Sequence, residues 1–357
     1  MRARLATKKK AAVNKKRTSR ALRRHLILAP SKGKSVGQAY NTAAPGRTRE
    51  GIDGFMNTTV ENLRTYAGFA RRFGRRFLAE RLSESGEPIA PAPHRPRPAE
   101  WRDDQLTVAW LGHATVLINF YGTWLLTDPA LRERVGLRVP GVLTFGPRRL
   151  VAPALAPHEL PALDAVLISH AHMDHCDTGT LTRLPRSVRA VVQRGNLDLV
   201  RRFRRADELA WGQSVEINGA RVESIEVNHW GARKLTDKHR GYGGFLIEKE
   251  GRALVFGGDT ADTRAFMRLG RRARIVLAMM PIGAYDPYIY AHANPEQSWR
   301  MAREMGAAYI LPMHHSTFRL SREPVGEPIE RLLTIAGRER WRVALTEIGQ
   351  TWSLPED

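Results

Sequence analysis

Cysteine is almost missing: Cys176 is the only one in 357 residues. No intramolecular disulfide can form, so a disulfide-stapled scaffold is excluded and a reducing compartment fits. Long apolar runs are missing too, and none approaches the roughly 18–20 residues that a bilayer-spanning helix requires. The basic start is not followed by a secretory apolar segment, residues 25–30 being too short for one. A cytoplasmic location is therefore expected, with peripheral contact to a membrane left open. An Arg-rich start also resembles an organelle transit peptide, which is the minor alternative. The third absence is acid: no Asp or Glu occurs before Glu50.

That last absence makes the charge lopsided. Residues 1–100 carry 23 basic and 7 acidic side chains, whereas residues 101–357 carry 34 and 29. Blocks such as Lys8-Lys9-Lys10 and Lys15-Lys16-Arg17 suit a polyanion, either an anionic membrane or nucleic acid. The plain alternative is a solvated tail with no partner. Hydrophobic residues make up 42% of the chain, enough for a sizeable core.

Residues 1–50 read as a basic tail. Residues 51–85 have a helical spacing of Phe55, Val60, Leu63, Tyr66, Phe69, Phe73 and Phe77, with Arg71, Arg72, Arg75 and Arg76 between the aromatics. Such a helix packs on its own domain or lies on a membrane surface. Residues 86–99 contain five prolines and read as a linker, so 51–99 forms one helix-plus-linker segment. From 100 to 357 strand and helix signals mix. Strands are expected at 106–118, 123–127, 164–169, 188–193, 275–280, 309–313 and 343–348. Hairpins are expected around Asn218-Gly219 and Glu250-Gly251. Helices are expected near 197–203, from the Asn294-Pro295 start to about Gly306, and near 328–336. The mixture predicts an α/β layered sandwich, sheets inside and helices outside.

The chemistry concentrates in Ser169-His170-Ala171-His172-Met173-Asp174-His175, directly after an apolar strand. Three imidazoles and a carboxylate within six residues form a metal-ligand set of the kind zinc favours. His170 and His172, two apart on extended backbone, share a side. Asp174 and His175 follow as the loop turns and can address a second metal.

His-x-His-x-Asp-His after an apolar strand resembles the signature of the metallo-β-lactamase superfamily, and further landmarks follow over residues 106–350. The resemblance implies an αββα four-layer sandwich with a basic N-terminal extension. It implies two zinc ions, with manganese or iron as alternatives. His170, His172 and His229 would bind the first; Asp174, His175 and His314 the second; Asp259 would bridge them. Asp128, in Leu126-Thr127-Asp128-Pro129, resembles an aspartate that orients the ligands. His314 is preferred to its neighbour His315, His113 is expected as a loop histidine that does not bind metal, and Cys176 as a buried bystander.

Within the superfamily, residues 108–116, Phe145-Gly146-Pro147-Arg148-Arg149 and His314-His315-Ser316-Thr317-Phe318 resemble the N-acyl-phosphatidylethanolamine-hydrolysing phospholipase D group. The ascorbate-6-phosphate lactonase group shares parts of the pattern. The likeness implies hydrolysis by a metal-bridging hydroxide, with Asp174 and His292 in catalytic roles and His292 near the reacting phosphate. The expected substrate is a phosphodiester, in a small molecule or a phospholipid. A lactone or ester, a nucleic acid, or metal binding without catalysis are the alternatives. The full set of seven candidate ligands argues against the last, and the lack of an export signal against antibiotic degradation. The oligomeric state is not readable from sequence.

Overall fold

The computed structural model of the chain describes residues 88–139, 143–234, 237 and 239–356. The basic tail 1–50 and the helix expected at 51–85 lie outside the described residues. So does the start of the proline-rich stretch. From Pro88 onward that stretch lies on the domain: Ala90 donates to Leu150 O at 3.0 Å, and His94 to Ile348 O at 3.3 Å.

In chain order the strands of the first half are β1 (Leu106–Gly112), β2 (Thr115–Phe120), β3 (Thr123–Thr127), β4 (Leu137–Val139), β5 (Leu143–Phe145) and β6 (Ala165–Ile168). After the short helix α1 (Thr178–Leu181) come β7 (Arg189–Gln193) and β8 (Ala206–Leu209). The second half holds β9 (Ser214–Ile217), β10 (Ala220–Ile225), β11 (Gly244–Lys249), β12 (Arg252–Phe256), β13 (Ile275–Pro281), α2 (Pro295–Glu304), β14 (Tyr309–Met313), α3 (Glu327–Ala336) and β15 (Thr351–Ser353).

These strands make two large sheets, ordered β15-β1-β2-β3-β6-β7-β8 and β14-β13-β12-β11-β10-β9, plus the small β4-β5 pair. Period-2 alternation sorts their side chains. In the second sheet Phe245, Ile247, Leu254, Phe256, Leu277 and Met279 share the main core with the first sheet. The residues between them, Leu246, Val255, Ala278 and Met280, face a second core with Trp299, Met301 and Ala302 of α2 and Leu332 of α3. Both faces of this sheet are dry, which is why its strands read as continuous apolar runs. Asn294 caps α2 by accepting from Gln297 N at 2.9 Å, and Pro295 opens the helix. On the first sheet the helical cover is slight: α1 and a 3-10 turn at Leu197–Leu199. The architecture is the expected α/β sandwich of two sheets.

Three two-residue hairpins connect β2–β3, β9–β10 and β11–β12, with positive φ at Tyr121-Gly122, Asn218-Gly219 and Glu250-Gly251. That backbone matches the right-handed strand twist. Three expectations need correction. Residues 106–118 are not one strand: the chain reverses at His113-Ala114, where Gly112 and His113 take φ of 112° and 55°. Both arms and the turn itself are buried, so no exposed polar stretch marks the break. The helix expected near 197–203 is only the 3-10 turn. Residues 343–348 make a single bridge, Val343 to Ile310, and the last strand is β15, paired with β1. Among the described residues no helix is long and apolar enough to cross a membrane.

Candidate metal centre

The ends of several strands converge at one edge of the sandwich. β3 delivers Asp128, β6 delivers Ser169 and the loop through His175, β12 delivers Asp259 and β14 delivers His314. The connection after β10 brings His229, the one after β13 brings His292, and the β1–β2 turn brings His113. Carboxyl ends of neighbouring parallel strands are the usual place for a site in an α/β sheet. Space is tight there. A Cβ on Gly258, at φ +55°, would lie 2.8 Å from Ser169 Cβ. His113, Asp128 and His314 all hold positive φ, at 55°, 31° and 64°. Such strain persists only where surrounding contacts impose it, and it clusters at functional sites.

All seven expected ligands are brought together. His170, His172, His229 and Asp259 form one group of donor atoms within 4.8 Å of one another. Asp174, His175 and His314 form another within the same distance, and His113 joins it. The carboxylate of Asp259 lies between them. Its Oδ1 is 3.2 Å from His314 Nε2 and its Oδ2 is 3.1 Å from His175 Nε2. Its Oδ2 is also 3.8 Å from His170 Nε2 and 3.7 Å from His229 Nε2.

Hydrogen bonds on the far sides of the rings set their tautomers. Asp128 accepts from Ser169 N at 2.7 Å, and from Ser169 Oγ and His175 Nδ1 at 2.6 Å each. With its own proton given to Asp128, Ser169 Oγ accepts from His170 Nδ1 at 2.8 Å. His229 Nδ1 donates to Ala291 O at 2.9 Å. His170 and His229 therefore turn a bare Nε2 inward, as metal-ligating imidazoles held by outer partners do, and His175 turns its Nε2 towards Asp259. His172 presents Nδ1 instead, 2.7 Å from His170 Nε2 and 3.4 Å from His229 Nε2.

Electrostatics test whether this donor set suits a cation. Nitrogen lone pairs converge at one point and carboxylates are buried beside them, which is costly without positive charge. Burial drives His229 down to about 3 and His172 to about 4, so both rings are neutral. Burial also opposes charge on His175, yet Asp259, Asp174 and Asp128 outweigh it and hold its pKa well above the usual range. His314 is likewise raised to about 9, against burial, by Asp259 and Asp174. Asp174 and Asp259 stay well below the carboxylate range, His175 overcoming their burial. Protons on His175 and His314 thus supply the charge that a metal ion would supply. His175 Nε2, Asp259 Oδ1 and His314 Nε2 are buried without hydrogen-bond partners. The donor chemistry fits divalent cations bound by nitrogen and oxygen.

Two residues are more involved than the sequence suggested. His113, expected as a loop histidine near the site and not a ligand, places Nε2 3.0 Å from Asp174 Oδ2. Burial, then His314, pushes it down to about 3, so it is a neutral donor that orients Asp174. Arg233 donates from one nitrogen to Ala171 O at 2.8 Å and Cys176 O at 2.9 Å, tying both ends of the ligand loop. The Gly112-His113 turn was a signal for the first; nothing in the sequence marked the second. His315 turns away, against Trp110 and Ser316. Cys176 is buried, burial pushes its thiol up to about 11, and it belongs to none of the donor groups found among the described residues. His292 forms a further donor group with Asp259 and His314, its Nδ1 3.7 Å from Asp259 Oδ2, on the wall of a cleft of about 480 Å³ that opens onto Asp174, Asp259 and His314.

Comparison with known proteins agrees with this geometry. Residues 123–315 match the beta-lactamase superfamily domain. A protein of Mycobacterium tuberculosis is 35% identical over 286 residues, 76% of this chain and 75% of that one. N-acyl-phosphatidylethanolamine-hydrolyzing phospholipase D 1 of Caenorhabditis elegans is 30% identical over 248 residues, 64% of this chain and 68% of that one. The isothiocyanate hydrolase from Delia radicum gut bacteria shares the fold, with a TM-score of 0.56 at 18% identity over 69% of this chain and 98% of that one. With the family domain spanning more than half its length and its strand ends converging on grouped histidines and aspartates, the chain belongs to the metallo-β-lactamase superfamily, as one of its metal-dependent hydrolases.

Proposed function

We propose that the protein is a binuclear zinc phosphodiesterase of the phospholipase D-like kind. The observation that carries the reading is the Asp259 carboxylate, shared between two groups of histidine and aspartate donors. His170 Nε2, His172 Nδ1 and His229 Nε2 would hold one ion. Asp174, His175 Nε2 and His314 Nε2 would hold the other, with Asp259 common to both. When bound, such a pair lowers the pKa of water towards about 7 and offsets negative charge developing on the substrate. The likeness to the nematode phospholipase D supports phosphorus as the reacting centre.

The chain's own residues do the rest. His113 and Asp128 fix the Asp174 and His175 side chains, so neither has to reorganise as charge develops. Burial and the neighbouring His314 lower the pKa of His292 despite Asp259, so the ring is neutral at pH 7. A neutral imidazole keeps one N–H, which His292 would offer to an anionic phosphoryl oxygen or the leaving oxygen. His292→Ala is expected to keep both ions and to lower turnover roughly ten- to a thousand-fold. Metal analysis beside kinetics checks this; loss of metal would make His292 a ligand or a prop.

The wider test is an activity screen with metal analysis of the same sample. A bis-aryl phosphodiester, a phosphomonoester, a lactone and a phospholipid are compared after reconstitution with zinc, manganese or iron. The reading expects about two ions per chain and fastest turnover of a diester. A folded protein that takes up no metal defeats the metal assignment. Faster turnover of the lactone defeats the phosphodiester.

A further inference from the structure

Arg149, the last residue of the Phe145-Gly146-Pro147-Arg148-Arg149 stretch, is a charged side chain buried in the domain, only 2% exposed. Burial pushes its pKa down to about 9, so the guanidinium keeps its charge at neutral pH. Such burial is costly unless the donors are met. Its acceptors are all main-chain carbonyls: Nε donates to Arg132 O at 3.0 Å, Nη1 to Val151 O at 3.1 Å and Nη2 to Ala130 O at 2.6 Å. The fork thus ties the segment after Asp128 to residues 149–151. It also fills the space beneath two further segments. A Cβ on Gly112 would lie 3.2 Å from Arg149 Nη1 and 3.4 Å from Thr317 Oγ1. The Phe318 ring centroid is 5.1 Å from Arg149 Cζ, and Leu150 N donates to Thr317 O at 2.8 Å.

These segments carry the supports of one donor group. Gly112 leads into His113, which holds Asp174 and whose carbonyl accepts from His314 N at 3.0 Å. Thr317 Oγ1 accepts from His113 N at 2.6 Å. Ala130 follows Asp128, which holds His175. Asp174, His175 and His314 are therefore all steadied by segments that meet on Arg149. In the other group His170 shares Asp128 through Ser169, but His229 is held by Ala291 O. Resting on the two-ion reading of the centre, we infer that Arg149 is a positioning residue for the second ion. Its fork locks the 112–113 turn, the 128–132 segment and the 314–318 loop in the arrangement that lets Asp174, His175 and His314 bind one cation. The shape of the fork is what counts, since a buried positive charge by itself repels a metal ion. Lysine has no equivalent fork.

Zinc affinity at each position tests this. The zinc-loaded full chain is titrated with a chromophoric chelator, which needs no turnover. In a His229→Ala background, which leaves the Asp174, His175 and His314 position, Arg149→Met should weaken zinc at least tenfold, as loss of an outer support does. In a His314→Ala background, which leaves the other position, the same change should alter affinity less than threefold. Arg149→Lys keeps the charge and the stem without the fork, and should also weaken the second position. It carries the test if the methionine variant does not fold. Arg189→Met is the control for lost stability: Arg189 is buried against Asp207 and Glu216 O on β7, and its loss should leave both affinities within threefold. Equal weakening of both positions would make Arg149 a general prop of the fold. Tighter zinc in Arg149→Met, with Arg149→Lys like wild type, would mean that only the charge acts. Either result overturns the inference, as does an unchanged second position. A wild type that binds one zinc instead of two defeats the two-ion reading itself.

Discussion

At the scale of single residues the site is a problem of charge. Asp174 and Asp259 face imidazoles, and their counter-charge is either protons or metal. Asp174→Ala or His314→Ala is therefore expected to lose about one of two ions per chain and most turnover, with His170→Ala impairing the other position. Metal stoichiometry on folded, reconstituted protein checks it; unchanged stoichiometry in all three would remove the assignment. Cys176 is the contrasting case. Its thiol, pushed up to about 11 by burial, stays protonated at neutral pH and is a poor ligand. Cys176→Ser should keep metal content and turnover within a few-fold of wild type. A large metal loss with the fold intact would promote it to a ligand.

At the scale of elements, the second sheet carries a charged ladder on β10. Glu223 is buried and accepts from Arg272 at 3.0 and 2.6 Å and from Arg221 at 2.7 Å, while Arg221 also reaches Glu248 of β11 at 2.6 Å. Burial opposes ionisation of Glu223, but the two guanidiniums overcome it and lower its pKa. A lowered carboxylate contributes stability that is present above its unfolded pKa and is lost as pH falls through the folded one. Glu223→Gln should thus cost about 1.5–3 kcal/mol near neutrality, the range for hydrogen bonds to charged groups. The gap to wild type should begin to narrow as pH falls below the unfolded glutamate pKa and close once it passes the lowered folded one, where the carboxylate is protonated in both states. Denaturant melts in steps from pH 7 to the acid limit of folding decide it: a gap that never narrows on the way down would mean that the loss is packing.

At the scale of the whole chain, charge and chemistry are separate. The donor groups lie in residues 113–314, whereas the excess of basic residues lies before residue 100. Removing residues 2–48 should leave turnover of a small soluble phosphodiester within about threefold. Each basic residue near an anionic surface contributes about 1 kcal/mol, screened by salt. The truncated chain should accordingly lose most of its salt-sensitive binding to anionic vesicles. Cosedimentation with anionic and neutral vesicles at low and high salt measures this. Equal binding by both forms would make the tail a solvated extension, and binding transferred to nucleic acid would change the partner.

The ligand loop could be read without coordinates because its chemistry is local. Four donors within six residues after an apolar strand have few other uses, and His229, Asp259 and His314 each sit beside an apolar run. The hairpins at Asn218-Gly219 and Glu250-Gly251 were readable for the same reason, since positive φ is a property of the turn residues themselves. The expected strand at 343–348 failed because its neighbour in space, β14, admits one bridge only, and pairing is not a local property. His113 reaches Asp174 across 61 residues, and Arg233 reaches Ala171 across 62. Neither contact leaves a periodicity or a spacing in the chain. The same holds for the side-chain orientations that turn Nε2 of His170, His175 and His229 inward, which depend on acceptors at Ser169, Asp128 and Ala291. Local sterics and hydrophobic alternation act over a few residues and so are written along the chain. Tautomers and the shared carboxylate arise where distant strand ends meet, and exist only once both sheets have closed on one core.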